Sequence, residues 1–236
     1  MARILSFAEM GRKSKLTRFA EVATFSNVYE IDPSHESFIS NAEGISKDLR
    51  GNWGAGHFQN NHPVILELAC GKGDYTVALA QDHPEQNFIG VDIKGARMWL
   101  GAKKALETSM HNVAFLRTRI EFIDRFFAPG EISEIWITFP DPFAGKISRR
   151  LTSAPFLERY RNILKTGGIM HLKTDSWLLY EFTLDVIHSD PKCKVLYANP
   201  DIYEKSLRFT ELEFKTYYEK KHLLDGRKIK YIRFTI

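Results

Sequence analysis

Val64–Asp92, VILELACGKGDYTVALAQDHPEQNFIGVD, holds one complete strand, loop, helix and strand unit. An apolar strand leads into Glu67, the loop Gly71-Lys72-Gly73 follows, an amphipathic helix runs on, and a second strand ends at Asp92. Small residues in the loop let backbone approach a ligand closely, and the helix behind them offers N–H groups with no intrahelical partner. The closing acid stands about where a ribose hydroxyl needs an acceptor. The unit therefore reads as half of a nucleotide-cofactor site on an α/β sheet.

Which cofactor it suits follows from two departures. A third glycine, expected three residues after Gly73, is replaced by Thr76, so a pyrophosphate loop is incomplete. Glu67, placed before the glycines, would repel a pyrophosphate; it suits an ammonium group or holds the loop's own amides. A second phrase, ITFPDPF at Ile137–Phe143, adds one carboxylate, Asp141, between two prolines that fix the backbone and remove N–H donors. Together these point to methyl transfer from S-adenosylmethionine, with a Rossmann-like loop for some other nucleotide as the alternative.

At 236 residues the chain is long enough for one large α/β domain with short appendages. Its net charge of +4 and pI near 8.9 are mildly basic and suit a polyanionic partner without requiring one. The two cysteines, Cys70 and Cys193, form no CxxC pair, and no HExxH-type motif exists, so no metal is expected. His57, His62, His83, His111 and His171 lack partners at metal-ligand spacing. No run of about 18 apolar residues exists and the N-terminus carries no signal-like segment. The expectation is a cytoplasmic protein, off the membrane, monomeric or weakly dimeric.

Residues 1–30 carry Arg3, Arg12, Lys13, Lys15 and Arg18 with little apolar period and read as a mobile basic arm before a single domain over 31–236. Residues near Ile31–Pro63 read as a loop-rich lead-in, with Trp53 and Phe58 as packing anchors. From Val64 strands and helices alternate. After the first unit the pattern gives a helix at Gly95–Glu107, a strand at Val113–Arg117, a short helix around Ile120–Phe127 and a strand at Glu134–Phe139. It continues with a helix at Pro155–Leu164, a turn at Thr166-Gly167-Gly168, a strand at Ile169–Thr174, a helix at Trp177–Ser189 and β segments at Lys194–Tyr197 and Lys228–Thr235. The expected fold is a doubly wound, mostly parallel seven-stranded sheet with a C-terminal antiparallel hairpin. Ligands of such sheets bind at the carboxyl ends of the strands where the winding reverses, so Glu67, the glycine loop and the FPDP turn should share one crevice.

Taken together, LELACGKG with Asp92, FPDP with the basic run ending Arg149-Arg150-Leu151, GGIMHLKTD ending at Asp175, and Thr216-Tyr217-Tyr218-Glu219 resemble the bacterial tRNA (guanine-N7-)-methyltransferase family. The resemblance covers roughly Lys13 to the C-terminus. It implies a class I methyltransferase fold, S-adenosylmethionine as donor, and N7 of the variable-loop guanosine of tRNA, conventionally position 46, as acceptor. It further implies that Glu67, Gly71 and Gly73 form the methionine end of the cofactor site and Asp92 the ribose acceptor. Asp141 and Asp175 become the acids of the reacting site, and Thr216, Tyr217, Tyr218 and Glu219 its late substrate phrase. Two positions depart from the family pattern: Arg119 stands where an acid or amide usually approaches the adenine, and Phe143-Ala144-Gly145 precede Lys146 where a tryptophan and then a lysine are usual.

Guanine N7 carries a lone pair and no proton, so its methylation needs no general base. Catalysis would come from alignment and from a carboxylate such as Asp141 or Asp175 near the purine as it becomes cationic. Lys146, Arg149, Arg150, Arg159, Arg161 and Lys165 are candidates for tRNA phosphates, and Tyr217 and Tyr218 for base stacking or for core packing. A methyltransferase of a small molecule or protein, and a noncatalytic RNA-binding relative, are the alternatives.

Overall fold

The computed structural model describes residues 14–31, 39–44 and 47–236. The chain starts with helix α1 (Lys15–Val22), strand β1 (Val28–Ile31) and the two-residue β2 (Ile39–Ser40). The doubly wound core follows as β3 (Val64–Leu68), α2 (Asp74–Asp82), β4 (Asn87–Asp92), α3 (Gly95–Glu107), β5 (Val113–Arg117) and β6 (Ile132–Thr138). It closes with α4 (Ala154–Arg161), β7 (Leu164–Thr174), α5 (Trp177–Ser189), β8 (Lys194–Asn199), α6 (Tyr217–Leu224) and β9 (Lys230–Thr235).

The nine strands of the described residues join one sheet in the order β2-β1-β5-β4-β3-β6-β7-β9-β8. The run from β1 to β7 is parallel, and β9 lies antiparallel between β7 and β8. Every residue of β3 and β4 is buried, as a central strand covered on both faces requires. Alternate residues of β3 feed opposite layers. Leu66 and Leu68 join Leu157, Leu179 and Ile187 from α4 and α5. Ile65 joins Val77, Met98, Trp99 and Val22 from α2, α3 and α1. Local signals set several helix starts: Ser14 Oγ accepts from Thr17 N–H at 3.1 Å, and Ser176 Oγ from Leu179 N–H at 3.2 Å.

The sheet differs from the expected one in three respects. It has two further strands, because β1 pairs in parallel with β5 at the edge and carries β2. The closing pair is antiparallel but is no tight hairpin, since residues 200–229, including α6, run between its strands. The turn expected at Thr166–Gly168 lies within β7, where the register against β6 shifts.

The described part of the lead-in is anchored at Trp53. Trp53 is fully buried, stacks on Phe127 at 5.4 Å and donates from Nε1 to Phe126 O at 3.0 Å. Within the stretch read as an arm, Lys15 and Arg18 sit on α1, whose Val22 is buried, and Glu21 of α1 accepts from Trp99 Nε1 at 2.7 Å. Arg3, Arg12 and Lys13 lie outside the described residues. Among the described residues no helix is long and apolar enough to cross a membrane.

Candidate active site

The winding reverses between β3 and β6, and the candidate site lies at their carboxyl ends. Ala69 and Gly71 both take left-handed backbone, with φ of 58° and 57°. A Cβ placed on Gly71 would meet only Ala69 O at 3.9 Å, so that face of the loop is open to a ligand. Gly73 is different: its Cβ would lie 2.6 Å from the Phe115 ring. Gly73 therefore permits α2 to pack on the sheet.

Glu67 serves the loop from inside. It is buried, accepts from Thr76 N–H at 2.8 Å and from the Thr76 hydroxyl, and its other oxygen accepts from Thr138 Oγ1 at 2.5 Å. Of the two roles open to it in the sequence, holding the loop's own amide is the one its bonds display. Burial pushes its carboxyl up to about 7, against the pull of the two threonines. Thr76, which replaced the third glycine, is thus the residue that ties α2 to β3.

Asp92 Oδ2 accepts from Gly71 N–H at 3.0 Å and Oδ1 from Lys94 N–H at 2.8 Å, which joins the ends of β3 and β4. Asp92 also lines a cavity of about 460 Å³ whose walls include Ala69, Arg119, Glu121, Phe139, Asp141 and Arg149. Ala69, just before the glycine loop, and the FPDPF turn line this crevice together, whereas Glu67, Gly71, Lys72 and Gly73, expected there too, are not among its walls. Arg119, a wall residue, pairs with Glu121, which also lines the crevice, at 3.3 Å. Partial burial works against ionisation of Glu121, yet hydrogen bonding and Arg119 hold its carboxyl below the usual range. Glu121 supplies an acid two residues beyond the position where the sequence lacks one, a neighbour that reading by aligned position passes over.

The turn is held under strain. Phe139 and Phe143 both have positive φ, 49° and 42°, costly for residues with a side chain. Phe139 N–H donates to Lys173 O at 2.8 Å, and Phe143 N–H to Asp141 Oδ1 at 3.0 Å. Arg150 is buried and donates from Nε to Pro142 O at 3.0 Å, with its guanidinium 4.4 Å from the Phe182 ring centroid. Arg150 thus buttresses the turn from behind, away from solvent. Asp141 is left exposed at the cavity wall with its orientation fixed.

The late phrase closes the other side. Thr216 caps α6, accepting from Glu219 N–H at 3.1 Å, and with Tyr218, Gly71 and Thr138 it lines a small cavity of about 70 Å³. Tyr217 and Tyr218 are exposed, so neither is core. Lys72 Nζ sits 3.3 Å from the Tyr217 ring centroid. Glu219 points inward instead: fully buried, it pairs with Lys173 Nζ at 2.9 Å and accepts from Tyr203 OH at 2.7 Å. Lys173, also fully buried, donates further to Phe214 O at 2.9 Å and Leu212 O at 3.2 Å. Burial lowers its pKa and Glu219 opposes that shift. Nothing in the sequence singles out Lys173, because its partners lie about forty residues on.

Other expected residues lie apart from these cavity walls. Asp175 accepts from Arg227 Nη1 at 2.7 Å, and its carbonyl accepts from Lys230 Nζ at 2.9 Å. Arg159 donates to Glu121 O at 2.9 Å, and Arg161 pairs with Glu158 and Asp190, each at 2.5 Å. Of the basic run, Lys146 and Arg149 are exposed, and Arg149 faces the larger cavity. His171 is a satisfied core histidine between Tyr231 OH at 2.7 Å and Glu134 Oε2 at 3.0 Å. Among the described residues no group of three His, Cys, Asp or Glu is placed to hold a metal ion.

A 30S ribosomal A1408 methyltransferase from an uncultured bacterium superimposes with a TM-score of 0.57 at 17% identity, covering 81% of this chain and 96% of that one. The 16S rRNA methyltransferase KamB does so with a TM-score of 0.58 at 15% identity, over 81% and 96% of the two chains. At such identities the likeness is one of fold. Sequence relatives are nearer. The chain is 50% identical over 230 residues to the tRNA (guanine-N(7)-)-methyltransferase of Christiangramia forsetii, covering 96% of this chain and 100% of that protein. It is 47% identical over 224 residues to the protein of the same name from Bacteroides thetaiotaomicron, covering 95% and 86%. A family described as a putative methyltransferase matches residues 61–232, the span from the glycine-loop strand into β9. With that span matched and relatives aligned end to end, the chain belongs to the tRNA (guanine-N(7)-)-methyltransferase family.

Proposed function

We propose that this protein transfers a methyl group from S-adenosylmethionine to N7 of a guanine in tRNA, the variable-loop guanosine being the acceptor. The observation that carries the reading is the near-complete alignment, at 50% identity over 230 residues, with a relative of that name. The crevice supports it. The open Gly71 backbone in the small neighbouring cavity, and in the crevice itself the Asp92 carboxylate at a strand end and a wall of Ile120 and Phe139, suit a nucleoside-bearing methyl donor.

S-adenosylmethionine, when bound, supplies an electrophilic sulfonium methyl. Residues Ala69, Gly71 and Asp92 would hold the cofactor on the β3–β4 side, with Arg119 and Glu121 near its base. Thr216 and Tyr218 would close the methionine end. The chain's own contribution is to align guanine N7 and exclude water, since N7 has a lone pair and no proton to remove. Asp141 carries the electrostatic part. Its carboxylate, fixed by Phe143 N–H and two prolines, would stand beside a purine that gains positive charge as the methyl arrives, an interaction stronger in the transition state than before it.

The test is transfer of labelled methyl from S-adenosylmethionine to unmodified tRNA, followed by nucleoside analysis. Label in 7-methylguanosine, lost when the variable-loop guanosine is replaced, is the expected result; label in any other nucleoside overturns it. Asp141→Ala should lower kcat by about a hundredfold or more. Asp141→Asn keeps the acceptor for Phe143 N–H and should lose nearly as much if charge is what matters; full activity in Asp141→Asn would remove the electrostatic role.

A further inference from the structure

Three of the six cations that the sequence groups as phosphate ligands are occupied by the protein itself. Arg150, Arg159 and Arg161 donate to its carbonyls and carboxylates. A second basic surface lies on the other side of the glycine loop. There Arg18 of α1, Lys72 of the loop, Lys104 of α3 and Lys215 and Lys220 at α6 converge on a groove of about 680 Å³. They come from four separate stretches of sequence, so no charge run announces them. Asp74 alone opposes them among the lining residues, and its carboxylate already accepts from Tyr217 N–H at 3.3 Å.

The groove is continuous with the site. Lys72 also lines the small cavity beside Thr216. Arg18 faces an adjoining cavity with Lys15, Lys94 and Arg97, and Arg97 lines the 460 Å³ crevice too. Basic side chains thus run from α6 past the glycine loop to the mouth of the crevice. An exposed aromatic ring, Tyr217, stands in the groove with one face on Lys72. Lysines along a channel with an aromatic platform match a nucleic-acid backbone whose bases stack as it passes. A net charge of only +4 over the whole chain makes this concentration a feature of the surface rather than of the composition.

We propose that the groove lined by Lys72, Lys104, Lys215, Lys220 and Arg18 holds the tRNA phosphate backbone next to the acceptor nucleotide. The assignment rests on the tRNA reading above. Phosphate contacts of this kind set affinity and register, while the crevice reads the base.

The experiment is equilibrium binding of unmodified tRNA to the full chain across a range of salt concentrations, for the parent, Lys104→Ala/Lys220→Ala and Lys104→Glu/Lys220→Glu. The alanine pair should weaken binding about tenfold at moderate salt and make the log K against log salt slope shallower by about 1 for each lysine. The glutamate pair should weaken it further. Circular dichroism and S-adenosylmethionine affinity matching the parent show that the fold is kept. A parent that binds and methylates tRNA, with both variants sharing its affinity and slope, overturns the groove alone. A parent that does not bind tRNA overturns the functional reading, and the groove with it.

Discussion

At the scale of single residues, Lys173 connects the two walls of the site. Its carbonyl accepts from Phe139 N–H of the FPDPF turn, and its ammonium holds Glu219 and two carbonyls of the segment before α6. Removing one member of a buried ion pair leaves the other uncompensated. Glu219→Ala should therefore lower stability to urea by about 3–5 kcal/mol, and Lys173→Met/Glu219→Leu should recover much of that loss. A single variant within about 1 kcal/mol of the parent would show the pair to be energetically idle. Glu67 gives a pH signature. In the folded chain burial keeps its proton on up to about 7, against an ordinary value of 4.5. Between those values the folded state binds the extra proton. Its contribution is then fullest at low pH, declines as pH rises to about 7, and is flat above, a change on the order of 3 kcal/mol. Glu67→Gln, which cannot titrate, should flatten that decline in unfolding measured from pH 5 to 8. An unaltered decline would assign it to other groups. Both residues were visible in the sequence as acids near a site, but their true partners were not. Thr76 and Thr138 approach Glu67 from a helix and another strand, and Lys173 reads as an ordinary strand polar residue until the sheet places Glu219 behind it.

Among elements, the glycine loop was legible because its backbone demands are written in residue type. The two glycines nevertheless do different things. Gly73 has φ of +72° and no room for a Cβ against Phe115, while Gly71 has φ of +57° and open space. Gly73→Ala should combine strain of about 1–2 kcal/mol with an overpacking cost of similar size, seen as a large fall in thermal midpoint. Gly71→Ala should lower the midpoint less and raise the KM for S-adenosylmethionine more. Equal midpoints for the two would contradict this division. Strands β3 to β9 were legible as apolar runs between turn signals. Strand β1, Val-Tyr-Glu-Ile, was not, since four residues with a central acid have little periodicity and owe their order to β5. The closing strands read as a hairpin because sequence shows adjacency. That β9 slips between β7 and β8 is a property of the whole sheet, and it is what leaves residues 200–229 available to reach back over the site.

For the whole molecule, the arrangement makes α1 part of the fold and of the basic surface together. Lys15–Val22 has cationic residues that read as a solvated arm, yet its inner face covers Trp99 of α3. Val22 is fully buried, Glu21 accepts from the Trp99 indole, and the Arg18 guanidinium lies 5.4 Å from that ring. We propose that the domain begins at α1, so that the described chain unfolds as one unit. A chain lacking residues 1–23 loses one buried valine and the cover over a tryptophan, worth about 3 kcal/mol by area. For a domain of this size that corresponds to a fall in thermal midpoint of about 6–12 °C. The unfolding should remain a single transition when followed by circular dichroism and by tryptophan fluorescence. The truncated chain also lacks Arg18 and Lys15, so its tRNA affinity should fall with a shallower salt slope. An arm that is merely solvated predicts the opposite pattern: the midpoint stays at the parent value while only tRNA binding weakens. Midpoint and salt slope measured on the same truncated protein therefore separate a helix that completes the core from a tail that only carries charge.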